Sequence, residues 1–300
     1  MSRTASARHL LDVDDLSAAE LAAVLDLAER PALPRVLAGR GVALLFEKPS
    51  LRTRHSTEIA VVQLGGHPIS EQSELGRRES IPDVARTLSG YHGAIGARVF
   101  AHHKVAELAA WSAVPVVNLL SDDAHPLQAL ADLLTLRQEF GTLAGVRVAW
   151  VGDFSNVARS LAKGLALSGG SLVCCCPPGY GPSDVDHEAV AVLGGALEVA
   201  PRPADAVGGA RAVVTDAWYS MGQEADAVAR KRAFEGFTIT SALLAAAAPG
   251  AVFLHCLPAH RGEEVTDEVI DGPASRVFPE ATNRLHTARA ALAFLLGVRP

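Results

Sequence analysis

Short apolar runs alternate along the chain with segments whose apolar positions recur every three or four residues. The runs at 42–46, 94–100, 114–119, 146–151, 172–176, 212–215 and 252–256 are too short for helices and read as strands. Between them, stretches at 57–64, 84–88, 127–140 and 159–167 carry the amphipathic helical period. Strands that are apolar on both faces and separated by helices predict α/β architecture, with doubly wound parallel sheets covered on each side. The segment EFGTLAG closes a long helical pattern with glycines just before a fresh strand, VRVAWVG. This predicts two domains, 1–140 and 141–300. The tail at 280–296 reads as one closing helix, not a third unit, and 204–210 as short helices and turns. No internal repeat is evident.

Composition narrows the class. The chain has 300 residues, of which 49% are hydrophobic and 20% charged, enough for two packed cores of ordinary size. A net charge of −6 lacks the basic field of a nucleic-acid binder, so no such partner is expected. The opening MSRTASARHLLDVDDLS has arginines but no apolar stretch behind them, which makes a poor export signal. The most apolar segment, 242–257, is interrupted by Pro249 and Gly250. A cytoplasmic chain without membrane attachment is therefore expected. Cys174, Cys175 and Cys176 are adjacent, and alternate strand faces keep all three from converging on one metal. They read as small apolar residues of a buried strand.

Several motifs carry candidate chemistry. In EKPSLRTRHSTE (47–58), Ser50, Arg52, Thr53 and Arg54 surround a helix start that follows a strand. Free N–H groups, the helix dipole and arginine forks suit a phosphate there; a capped helix with exposed arginines is the alternative. Arg98 ends an apolar strand, where open α/β sheets place ligands but where a solvent-facing arginine is also ordinary. In DDAHPLQ, Pro126 opens a helix, and His125 and Gln128 share its first face, to bind a carbonyl and an amide or to cap their own helix.

The second half repeats the strand–loop–helix theme. WVGDFSN (150–156) lacks the G-x-G-x-x-G fingerprint, which sets a nicotinamide enzyme behind an amino-acid site. In TDAWYSMG (215–222), Asp216 ends a strand, either to bind an ammonium group or to cap the next helix. HCLPAHRGEE (255–264) places Cys256 beside His255, but neighbours on a strand face opposite ways, so His255 is a poor base for that thiol. Metal ligation by His255, Cys256 and His260 stays open, though no second cluster completes it. Glu280 and Arg284 lie one helical turn apart and could pair.

Taken in order, S-x-R-T-R, Arg98, HPLQ, GDxxN, DxxxSMG, HCLP and ExxNRLH closely resemble the ornithine carbamoyltransferase family, from about residue 46 to 296. The resemblance implies two doubly wound parallel-sheet domains joined by two long interdomain helices: a carbamoyl phosphate-binding domain and an ornithine-binding domain. The C-terminal helix, about 280–297, would pack back on the first domain. It further implies a homotrimer or multiple of trimers with active sites at subunit interfaces, and no cofactor or metal. Carried over by position, Ser50, Leu51, Arg52, Thr53, Arg98, His125, Gln128, Cys256, Leu257 and Arg284 would bind carbamoyl phosphate, with Leu51 and Leu257 acting through backbone. Asn156, Asp216, Ser220 and Met221 would bind L-ornithine, and Arg98, His125 and Cys256 would flank the reacting atoms.

Two departures bear on this reading. Leu51 stands where the family has threonine, a mild change if only its N–H is used. Glu74, in SELGRRES, stands where many members have glutamine near a neighbouring subunit's phosphate; a carboxylate repels phosphate unless Arg77 and Arg78 offset it. The readings that compete are a carbamoyltransferase for putrescine or an acylated ornithine, and a non-catalytic ligand-binding paralogue. SMG opposes the first, and the presence of Arg52, His125, Gln128 and Arg284 opposes the second.

Overall fold

The structure is a computed structural model, and it describes residues 7–219 and 226–300. Among them, nine strands form two all-parallel sheets. The first contains β1 (Gly41–Phe46), β2 (His67–Gln72), β3 (His92–Arg98) and β4 (Val116–Leu120), in the order β2-β1-β3-β4. The second contains β5 (Arg147–Val151), β6 (Ser171–Cys175), β7 (Leu197–Val199), β8 (Ala212–Thr215) and β9 (Val252–His255), in the order β7-β6-β5-β8-β9. By internal contacts the chain divides into two compact units: Met1–Ala131 with Asn283–Pro300, and Asp132–Thr282.

Each doubly wound sheet follows from its apolar strands. β1 is buried at every position after Gly41, and β3 at every position after His92. Leu45, Ile95, Ala97, Val105, Leu108 and Ile81 pack one core of the first unit. Ala149, Val151, Val173, Val213, Phe253 and Ile270 pack one core of the second. β2 and β7 were not anticipated. Both are edge strands: β2 reads HPISEQ with no buried position, and β7 has only three residues. A strand with one solvated edge need not carry an apolar run, and short or polar edges also discourage pairing with another chain.

Helix starts are set by local chemistry. Ser17 with Glu20 and Ser183 with Asp186 form reciprocal capping boxes, and Ser80 caps a helix with Pro82 in its first turn. The expected helices run longer than their apolar patterns: Leu51–Gln63, Ile81–Tyr91, Pro126–Phe140, Asn156–Leu167 and Val277–Leu295. Their first turns hold polar or proline residues, which periodicity alone does not count. A short helix at Pro203–Val207 meets the expectation for that stretch. No described helix is long and apolar enough to cross a membrane.

Candidate active site

In the first unit the chain winds outward from between β1 and β3, β2 lying to one side and β4 to the other. The carboxyl ends of β1 and β3 thus flank the topological switch, where such sheets leave a crevice. β1 runs through Lys48 into Ser50, the N-cap of helix Leu51–Gln63. Ser50 makes no side-chain cap bond, Leu51 is exposed, and Arg52 is half-buried in the first turn. Thr53 points inward. Its Oγ1 accepts from Arg284 Nη2 at 3.1 Å and, more weakly, from Arg98 Nη1 at 3.5 Å. Arg284 Nη1 also donates to Gln128 Oε1. Thr53, Arg98, His125, Gln128 and Arg284 are all buried. Sequence separations of 45, 156 and 231 residues are closed here.

This convergence concentrates positive charge. Lys48 joins it, its pKa lowered by burial and then by Arg98. His125 is held well below the ordinary imidazole range, first by burial and then by Arg284, Arg98 and Lys48. It is therefore neutral at physiological pH and can hydrogen-bond without carrying charge. Lys48 was missed in the sequence, although it sits two residues before Ser50. Arg54 does not belong to the group: it donates to Glu58 at 2.8 Å on an exposed flank of the helix.

Glu47 holds the rim. Its carboxylate accepts from the amides of Leu75 at 3.0 Å and Phe100 at 2.7 Å and pairs with Lys104 at 2.7 Å. Two loops and a helix are thereby pinned to the end of β1. Glu74 is exposed, 3.8 Å from Lys104 and 3.9 Å from Arg77, so these cations offset its charge within one chain.

In the second unit the winding reverses between β5 and β8. Gly152 follows β5 with φ +138°, and a Cβ there would meet Thr215 Oγ1 at 3.2 Å. Thr215 Oγ1 in turn donates to Val151 O at 2.6 Å, locking β8 to β5 just below the loop. Asn156 opens helix Asn156–Leu167. Asp216 follows β8, and Cys256 follows β9. The Cys256 thiol donates to Asp216 Oδ1 at 3.0 Å, and the Ala217 amide donates to the same oxygen at 2.7 Å. Burial, then the Asp216 charge, raises the Cys256 pKa well above that of an ordinary thiol. The thiol is a proton-bearing donor, not a thiolate nucleophile. Ser220 and Met221 lie outside the described residues.

His255, the last residue of β9, has partners of its own. Its Nδ1 accepts the Leu257 amide at 2.9 Å, so the proton sits on Nε2, which donates to Glu264 Oε1 at 3.1 Å. Both residues are buried. Donor atoms of Asp216, His255 and Cys256 lie within 4.8 Å of one another. Both His255 ring nitrogens have partners of their own, and the Cys256 thiol donates to Asp216. Glu264 accepts from His255 and from the His260 amide, and Glu263 pairs with Lys231 at 2.7 Å, which accounts for the second acidic group. Leu257 has φ +57°, alone among described non-glycine residues, and this strained turn ends β9 at the sheet's ligand-facing edge. Glu280 accepts the His255 amide at 2.9 Å.

Asp153 and Arg230 were also missed. Arg230 Nη1 donates to Asp153 Oδ2 at 2.7 Å and to Trp218 O at 2.8 Å, tying the loop after β5 to the loop after β8. Burial raises the Asp153 pKa despite that partner. The sequence signal was GD in GDFSN, but nothing local marks an arginine 77 residues away.

Each half of the chain matches a known family model. Residues 8–138 match the family described as aspartate/ornithine carbamoyltransferase, carbamoyl-P binding domain, and residues 144–295 its Asp/Orn binding domain. The chain is 50% identical to an ornithine carbamoyltransferase of Acidothermus cellulolyticus, with 96% of each chain covered. It is 44% identical to the anabolic ornithine carbamoyltransferase of Pyrococcus furiosus, over 97% of this chain and 96% of the relative. A solved ornithine carbamoyltransferase from Thermus thermophilus superposes with a TM-score of 0.89 at 46% identity, covering 96% of this chain and 99% of the other.

Proposed function

This chain belongs to the aspartate/ornithine carbamoyltransferase family, and we infer from that membership that it is an enzyme transferring the carbamoyl group of carbamoyl phosphate to the side-chain amine of L-ornithine. The products are citrulline and phosphate, and the step belongs to arginine biosynthesis. The observation that carries the residue assignment is the buried convergence of Thr53, Arg98, Gln128 and Arg284 around a neutral His125.

In this reading Ser50, Arg52, Thr53, Arg98, His125, Gln128 and Arg284, with the Leu51 N–H, hold carbamoyl phosphate. Arg52 and the open helix start take the phosphate oxygens, whose charge grows as the C–O bond breaks. Arg98, Thr53 and His125 donate to the carbamoyl oxygen, where negative charge develops as the amine adds. A neutral imidazole suits this role, because it polarises the carbonyl without surrendering a proton. Cys256 and the Leu257 backbone contribute from the end of β9.

Asn156, Asp216, Ser220 and Met221 hold ornithine. A free side-chain amine has a pKa of ~10.4, so it must shed a proton before attacking. Asp216 orients it. Its Oδ1 already accepts from the Ala217 amide and the Cys256 thiol, which hold the carboxylate in place. Attack on the carbamoyl carbon gives a tetrahedral species that collapses with loss of phosphate, without an acyl-cysteine intermediate. The chain is further inferred to be cytoplasmic and to assemble as a homotrimer or a multiple of trimers. The exposed Leu51, Ile59, Val62 and Ile69 of the first unit support a subunit interface, and light scattering tests it. A colorimetric citrulline assay with ornithine, run beside putrescine and N-acetylornithine, tests the activity. Strong preference for ornithine is expected; faster carbamoylation of either other amine would refute the assignment.

A further inference from the structure

One cysteine pair is left unused by the reaction. Cys174 lies near the end of β6 and Cys176 directly follows the strand, while Cys175 between them turns into the core beside Val173 and Ala206. Cys174 is buried and donates to Glu198 O at 3.3 Å; Cys176 is half-exposed and hydrogen-bonds the Cys174 sulfur. We propose that Cys174 and Cys176 form a dithiol site for one soft, thiophilic centre, such as a trivalent arsenical or monovalent copper.

Thiolates select soft centres, and two neighbouring sulfurs, one of them partly exposed, give both the ligands and an entry path. A direct disulfide fits less well. Two strand steps separate the Cα atoms by ~6.6 Å, at the upper edge of what disulfides span, whereas a bridging atom between the sulfurs widens the reach. With phenylarsine oxide the step balances: each thiol gives its proton to the arsenic-bound oxygen, two As–S bonds form, and one water leaves. Arsenic stays trivalent, so no oxidant is required.

Occupancy has a functional consequence that rests on the proposed ornithine reading of GDFSN. The Gly152 amide donates to Cys175 O at 3.0 Å and the Phe154 amide to Tyr180 O at 2.9 Å, so the loop holding Asp153 is sewn to the segment around the dithiol. A bound centre displaces that segment and slows citrulline formation.

The test titrates the reduced full-length enzyme with phenylarsine oxide and reads intact mass and citrulline formation on the same samples. One phenylarsenic per chain is expected, surviving excess monothiol and removed by a dithiol, with activity falling in parallel. C175A should keep the adduct; C174S and C176S should each lose it at least tenfold. C176S alters a half-exposed residue, so it carries the test alone if C174S fails to fold. An adduct that persists in C176S, or none in the wild type, overturns the site. Full occupancy with unchanged turnover overturns the link to the Asp153 loop and leaves the transferase assignment untouched.

Discussion

Replacing Arg284 with methionine separates its packing from its charge. The methionine fills much of the same volume, so the helix stem stays packed. The hydrogen bonds to Gln128 Oε1 and Thr53 Oγ1 disappear. Hydrogen bonds from a charged donor contribute about 1.5–3 kcal/mol each. The variant also no longer buries that charge, which offsets part of the loss, so the net destabilisation should be about 1–3 kcal/mol. In the complex the balance differs, because an anion has lost a charged donor with nothing to replace it. Removing one such donor typically costs ~10²–10³-fold in rate, or about 2.7–4 kcal/mol. Steady-state assays should therefore show kcat/KM for carbamoyl phosphate lower by at least about 100-fold. The KM for ornithine should change by less than about threefold, because its proposed ligands belong to the second unit. A kcat/KM for carbamoyl phosphate within about threefold of wild type would refute the cradle.

Three further outcomes follow from the same geometry. His125 has a folded pKa below its unfolded value, so between the two the unfolded chain binds more protons and stability falls as pH drops below about 6.5; H125Q should flatten that acid slope in chemical denaturation by up to ~1.4 kcal/mol per pH unit, and an unchanged slope would contradict a neutral His125. Wild-type Cys256 should alkylate slowly with iodoacetamide at pH 8 and still accelerate beyond pH 9, while D216N, by removing a charge that raises the thiol pKa, should alkylate faster at pH 8; a wild-type plateau below pH 8 would count against the protonated thiol. G152A forces a side chain into φ +138° and against Thr215, which should cost about 1–3 kcal/mol, lower Tm by several degrees and raise the KM for ornithine, as calorimetry and kinetics can check.

The sequence disclosed the seven strands with continuous apolar runs, because burial on both faces leaves no room for polar residues. It could not disclose β2, whose HPISEQ is indistinguishable from a loop until β1 lies beside it. The site shows the same division. Ser50, Arg52 and Thr53 were readable from a strand-to-helix turn, and His125 and Gln128 from a proline-opened helix. That Thr53 accepts from an arginine 231 residues away was not readable, since only the fold closes that gap. Asp153 carried no sign of its partner, because Arg230 lies 77 residues away. Motif spacing sets Glu280 and Arg284 one helical turn apart; to this the structure adds the His255 amide for Glu280 and the Gln128 and Thr53 oxygens for Arg284. Helical periodicity does not reveal such distant partners.

The reversal of winding in each sheet has a consequence for how the chemistry can diversify. The residues assigned to the acceptor follow β5 and β8, and each of those turns begins where a buried strand has already ended. Rewriting them leaves the strands' apolar faces untouched. A descendant could exchange one amine for another by altering a handful of loop positions while inheriting the carbamoyl donor's pocket whole, so mutational tolerance should be far greater past the ends of these strands than one residue inside them.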